Sequence, residues 1–174
     1  MGTLLAIRGL EVELGGRRVL QGIGLEVPEG GSVALVGESG GGKSTLLRAC
    51  MGLLPPGSIL GGELQWSPAG TPPVDLLAAS PAAWRRLRGA QLALIPQEPS
   101  AALDPRRRAG ALLRECMGAD RRIPRAARGA AAAAALAAVG IGADRARAYP
   151  HQWSGGMQQR LLVAMALARR PRLV

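Results

Sequence analysis

One short loop concentrates the chemistry of this sequence: Gly37, Glu38, Ser39, Gly40, Gly41, Gly42, Lys43, Ser44 and Thr45. It fits the P-loop pattern Gly-x-x-x-x-Gly-Lys-(Ser/Thr). Glycines let successive backbone N–H groups turn toward one anion without Cβ clashes. A helix starting at the end of the loop adds unpaired amide donors and the positive end of its dipole. In such a cradle Lys43 bridges the β- and γ-phosphates, Ser44 places its hydroxyl on Mg²⁺, and Thr45 supports the phosphates nearer the ribose. Lys43 is also the only lysine of the chain; every other cationic side chain is arginine, apart from His151. A planar fork does not replace a compact, flexible ammonium inside a phosphate cradle. The residues thus imply binding of a nucleoside triphosphate with Mg²⁺.

Two further segments are weaker alone. Ser154-Gly155-Gly156-Met157-Gln158-Gln159-Arg160 precedes a helical stretch. Ser154 is a good N-cap, which is sufficient reason for a serine there. Equally, two glycines at a helix N-terminus make a second anion site. In Ile95-Pro96-Gln97-Glu98-Pro99, a glutamine after a strand reads first as polar surface.

The elements that must position these groups follow from pattern. Leu10, Val12 and Leu14 alternate with Glu11 and Glu13, a half-buried strand. Gly15-Gly16 is a turn and Val19 to Val27 a returning strand, giving a hairpin. Ser32 to Val36 is a short continuous apolar run, as in a buried parallel strand. A helix is expected from about Lys43 to Leu53, stopped by Pro55-Pro56-Gly57. Gly62 to Trp66 and Gln91 to Ile95 read as strands, and Ser67 to Pro73 as loop. Ala126 to Val139 has very high helix propensity. A last helix is expected from Met157 to Arg169, and Arg172 to Val174 reads as the start of another strand.

Composition bounds the rest. The chain has 174 residues, 48% apolar and only 2% aromatic, so a core must be built from Leu, Val, Ile, Ala and Met. Its net charge is +10, with arginine runs at Arg85, Arg86, Arg88 and at Arg106, Arg107, Arg108. A nucleic-acid partner would use such charge, but no aromatic stacking platform accompanies it; solvated arginine faces are expected, with no direct nucleic-acid contact. Cys50 and Cys116 form no metal motif or disulfide framework. The longest apolar stretch, Ala130 to Val139, is too short to span a bilayer, and the N-terminus lacks a secretory apolar segment. A cytoplasmic chain follows as the expectation.

With the P-loop, the segment at Gln97 and the Ser154 segment in this order, the sequence resembles the ATP-binding-cassette (ABC) family along its whole length. Gly37-Glu38-Ser39-Gly40, the stretch Gln97 to Pro105 and Tyr149-Pro150-His151-Gln152 resemble the ATPase subunits of peptide and nickel importers. The resemblance implies an α/β P-loop NTPase fold with an N-terminal antiparallel β part and an inserted helical subdomain. It implies one partial nucleotide-binding domain: β part and P-loop core over 1–102, helical subdomain over 103–149, signature segment over 150–174. Ser154, Gly155, Gly156 and Met157 would be the signature that closes over the γ-phosphate bound to a second ATPase subunit. Gln97 would contact Mg²⁺ and the attacking water, beside integral-membrane permease subunits at the inner face of the cell membrane.

The sequence departs from the family in several places. Trp153 stands where the signature usually has leucine, and Met157 where many members have glutamine. Leu14 occupies the place of an aromatic that stacks on adenine. The family continues with a strand ending in Asp-Glu and another ending in a switch histidine; the sequence given stops at Val174, before both. His151 precedes the signature and reads as a structural loop residue. Other readings are a DNA-repair ATPase of the same superfamily, a P-loop kinase or GTPase, and an inactive gene fragment. The first lacks its cysteine-pair insertions here, and the second has no place for the Ser154 segment.

Overall fold

The computed structural model describes residues 2–118 and 123–174. The chain divides into two compact units, Met1–Arg85 and Arg86–Val174.

The first unit is built on a four-stranded antiparallel sheet. Its strands are β1 (Thr3–Leu14), β2 (Arg17–Pro28), β3 (Ile59–Trp66) and β4 (Val74–Asp75), in the order β2-β1-β3-β4. The expected hairpin forms, with Leu14 opposite Arg17. Gly15 and Gly16 both take positive φ, 56° and 79°, the pair of left-handed residues that a two-residue hairpin turn requires. Leu10 and Val12 are buried and Glu11 is exposed, so the alternation read from the sequence is the alternation of the sheet's faces. Leu4, Leu5, Ile7, Leu64 and Trp66 are also buried in the sheet. Helix α1 (Lys43–Cys50) meets β2 and buries Leu46, Ala49 and Cys50.

A register slip and one close backbone approach shape this sheet. The register slips between Arg8 and Glu11 where β1 pairs with β3. There Gly62 has φ +86° and comes so near β1 that a Cβ would stand 2.3 Å from the Gly9 carbonyl oxygen. Only glycine fits both the conformation and the space.

The run Ser32 to Val36 does not form the expected strand. It belongs to no sheet, and Val36 is 90% exposed and Val33 40%. A strand exists through its ladder partners, and no described residue pairs with this run. The apolar pattern foretold its chemistry but could not supply its neighbours. Gln91 to Ile95 is corrected for the same reason. Only Leu92 is bridged, in parallel fashion, to Arg88 and to Leu173. The final residues reach that bridge but form no longer strand.

The second unit is helical. Short helix α2 (Pro81–Leu87) spans the division between the units. Then come α3 (Pro99–Ala102), α4 (Ala109–Gly118), α5 (Arg128–Ala138) and α6 (Gly155–Leu167). Leu112, Leu113, Met117, Leu136, Ile141, Trp153 and Leu161 form its buried core. The alanine-rich helix is present. Its small side chains bury little area, so Leu136 at 0% exposure is its main anchor. Among the described residues, no helix is long and apolar enough to cross a membrane.

Candidate functional site

Pro28 accepts a hydrogen bond from the Gly31 amide, closing the turn after β2. From there the chain runs through the unpaired apolar segment into the loop. Gly40 and Gly42 take φ +83° and +81°, left-handed conformations that glycine adopts without a Cβ penalty. The Gly41 amide donates to the Glu38 carbonyl at 3.2 Å, giving the loop its bend. Gly42 is the N-cap of α1, and no side chain caps that terminus. The first-turn amides and the positive helix end are thus left for an external acceptor.

Lys43 lies over the loop. Its Nζ donates to the carbonyl oxygens of Gly37 at 2.7 Å and Glu38 at 2.6 Å. The ammonium is therefore held at the mouth of the glycine turn, on two neutral acceptors that an anion can replace. Charge-assisted bonds to phosphate oxygens are stronger than bonds to neutral carbonyls. Ser44 is exposed beside it and Thr45 is half-buried. The arrangement fits the triphosphate reading: uncapped amides, left-handed glycines and one cation on exchangeable acceptors, gathered within a single turn of chain. Gly42 also packs against β2, so a Cβ there would meet Leu20 Cδ2 at 2.6 Å and the Val19 carbonyl oxygen at 3.3 Å. Leu20 and Val19 are supports that the motif pattern alone does not reveal.

In the second unit, Ser154 is the N-cap of α6, and its Oγ accepts from the Met157 amide at 3.4 Å. Ser154, Gly155 and Gly156 are exposed, and Met157 is half-buried. A Cβ added at Gly155 or Gly156 would meet nothing within 4 Å. Internal packing therefore gives no reason for glycine at these helical positions, where each costs up to about 1 kcal/mol relative to alanine. Gln158 holds the preceding loop by donating from Nε2 to the carbonyls of Pro150 at 2.9 Å and Trp153 at 3.2 Å. No motif pattern pointed to this role for Gln158. Trp153 is 5% exposed, and its indole N–H has no hydrogen-bond partner among the described residues.

His151 stacks on Tyr149 with ring centroids 5.5 Å apart, and the Arg108 guanidinium lies over the same tyrosine at 5.7 Å. The other members of that arginine run are also engaged: Arg106 pairs with Asp104 and Arg107 with Glu115. The Arg106 amide and side chain hold the Asp104 carboxyl below its ordinary range. The run is thus partly spent on local contacts rather than offered as one free basic patch. Gln97 lies exposed in a bend before α3, and the exposed Glu98 is the N-cap residue of that helix. Among the described residues, no group of three or more His, Cys, Asp or Glu side chains could hold a metal ion.

Comparison with known proteins adds the following. The sequence profile of the family described as "ABC transporter" matches residues 20–174. The dipeptide transport ATP-binding protein DppD of Bacillus subtilis (strain 168) is 34% identical over 179 residues, covering 98% of this chain and 52% of that protein. The DppD of Escherichia coli (strain K12) is 36% identical, with 99% and 53% covered. The oligopeptide transport protein OppD of B. subtilis is 33% identical, with 98% and 49% covered. The chain spans about half the length of these curated relatives. In fold, it is similar to an ATP-binding cassette solved as a dimer in a post-hydrolysis state with ADP and Pi, at TM-score 0.78 and 24% identity. That match covers 96% of this chain and 70% of the other. A second is cbiO1 from Clostridium perfringens, part of the ABC transporter complex cbiONQ, at TM-score 0.72 and 23% identity over 97% and 62% of the two chains.

Proposed function

Because the chain belongs to the ABC transporter family, whose α/β nucleotide-binding fold it shares, we propose that it is the ATP-binding part of a peptide-type importer. The observation that carries this reading is the placement of Lys43 Nζ at the loop mouth, beside an uncapped helix N-terminus. Gly37 to Gly42 would wrap the phosphates with backbone amides. Lys43 would exchange its two carbonyl acceptors for phosphate oxygens. Ser44, with Gln97 brought near, would hold Mg²⁺, which supplies charge neutralisation at the phosphates when bound.

The exposed Ser154-Gly155-Gly156 terminus, with Met157 behind it, would receive the phosphate held by a second ATPase subunit. The open space over both glycines supports an approach from outside the chain. Peptide uptake is favoured over nickel by the names of the relatives, which are dipeptide and oligopeptide transport proteins. Permease subunits at the cytoplasmic membrane face would receive the motion. In this reading residues 1–102 carry the nucleotide, 103–149 the helical subdomain and 150–174 the signature.

Titration of the chain with a fluorescent Mg-ATP analogue tests the reading. Lys43→Ala is expected to weaken binding about tenfold to a hundredfold, by losing charged hydrogen bonds. Equal affinity in the variant would refute the site.

A further inference from the structure

Of the 22 basic and 12 acidic residues of the chain, sixteen basic and five acidic fall in Arg86–Val174. The excess positive charge therefore belongs to the helical unit. That unit also has a groove of about 560 Å³, formed by α5, α6 and the end of α4. Met117 and Ala164, both buried, lie at its floor, and Ala131, Ala135 and Leu167 line its walls. Leu167 is left 51% exposed. Small-molecule sites have volumes of this order and are mostly apolar, with a few polar groups that fix orientation.

Among the described residues, one charged side chain lines this groove, that of Arg170. It has φ +50° and is the only described residue other than glycine with positive φ. Glycine would make that turn without strain. A strained residue kept where a relaxed one would serve points to a role for its side chain. Arg170 is exposed, and among the described residues its guanidinium makes no hydrogen bond or ion pair. No described carboxylate lines the groove. Two further guanidiniums stand at the ends of α5. Arg128 donates to the carbonyls of Ile123 and Gly118, both at 3.4 Å. Arg160 donates to those of Val139 at 3.4 Å and Gly140 at 3.3 Å. Ile123 and Val139 themselves line the groove. These acceptors are neutral, so the hollow keeps a positive rim.

We propose that this groove holds one acyl chain whose anionic head, a carboxylate or a phosphate monoester, pairs with Arg170. A guanidinium binds either anion through two parallel hydrogen bonds. A nucleic acid would use the charge, but it has no apolar body for the hollow and finds no aromatic platform for its bases. A bilayer face cannot reach a floor at which Ala164 is 2% and Met117 3% exposed, so the chain enters singly. The groove shares no residue with Gly37 to Thr45, and the inference does not depend on the nucleotide reading.

The test is calorimetric titration of the full 174-residue chain with dodecanoate, dodecyl phosphate, 1-dodecanol and acetate, below micelle-forming concentrations. The variants are Arg170→Gly and Ala135→Leu. Arg170→Gly relieves the left-handed backbone, so its Tm should not fall, which separates lost binding from lost folding. One site per chain is expected. Arg170→Gly should weaken both long-chain anions about tenfold and leave 1-dodecanol within about twofold. Ala135→Leu fills the hollow and should weaken all three long-chain ligands about tenfold. Acetate, with a head and no chain, should not bind. Either anion binding in this pattern supports the proposal, and the tighter one identifies the head. The proposal is overturned if neither anion binds, if 1-dodecanol binds the unaltered chain as tightly as the anions, or if Arg170→Gly retains anion affinity. Many equal sites indifferent to Ala135→Leu would show attraction to net charge alone and would also overturn it.

Discussion

At the scale of single residues, Lys43 and Cys50 sit at opposite ends of α1 under opposite demands. Lys43 Nζ is held by two carbonyl oxygens at 2.6 and 2.7 Å, a space suited to a point charge. A guanidinium is a wide planar fork. Lys43→Arg should therefore bind Mg-ATP as poorly as Lys43→Ala; titration showing near-native affinity for the arginine variant would contradict the geometry. Cys50 is buried, and burial pushes its thiol from 9.0 up to about 11. The folded state thus keeps a proton that the unfolded state releases. The associated stability is fully present below pH 9.0 and is lost as pH rises through about 11. At about 1.4 kcal/mol per unit, the loss amounts to a few kcal/mol. Urea midpoints measured from pH 8 to 11 should fall across that window, and Cys50→Ala should flatten the fall. At neutral pH the thiol should resist alkylation until the protein is denatured.

At the scale of elements, the sheet depends on a backbone contact that no side chain could replace. Gly62 combines φ +86° with only 2.3 Å between a would-be Cβ and the Gly9 carbonyl oxygen. A β-carbon there pays the left-handed penalty of about 1–2 kcal/mol and collides with backbone, which cannot rotate aside. Gly62→Ala is expected to cost about 3 kcal/mol or more in denaturant unfolding. A cost below about 1 kcal/mol would mean that β3 slides without penalty. Gly155 and Gly156 make the contrasting case, because no atom of the chain occupies the space a Cβ would take. On the function proposed above, their requirement would lie in what approaches the helix from outside.

At the scale of the whole molecule, the exposed run Ser32 to Val36 is expected to govern behaviour in solution. Val33 and Val36 present apolar, β-branched surface with backbone groups that no described strand pairs. Such edges recruit other chains. The protein expressed as these 174 residues should self-associate, and Val36→Lys should shift its gel-filtration profile toward monomer. An unchanged profile would place the association elsewhere. Hydrolysis is expected to be slow in the same preparation. Water attack needs a base or water-orienting group as well as the phosphate cradle. The Gln97 amide cannot take a proton, and the Glu98 side chain is exposed at the head of α3 with no cap hydrogen bond to fix it. Phosphate release from Mg-ATP should match that of Lys43→Ala. Lysine-dependent turnover of about 1 per second or more would overturn this expectation.

Local chemistry was legible from the sequence wherever it decides structure. The glycines and lysine of the loop, the Gly15-Gly16 turn, the alternating face of β1 and the capped start of α6 each follow from residue type and spacing. Such features are set by dihedral freedom, charge and short-range hydrogen bonds, all contained within a few residues. Pairing is a different matter. Ser32 to Val36 and Gln91 to Ile95 have the composition of strands, yet neither forms a ladder, because a strand is completed by residues distant in sequence. The register slip between Arg8 and Glu11, the Gly62–Gly9 contact and the Leu20 support beneath Gly42 were likewise fixed only by tertiary structure. Each depends on where two separate backbones come to rest, and no pattern within one segment encodes that distance.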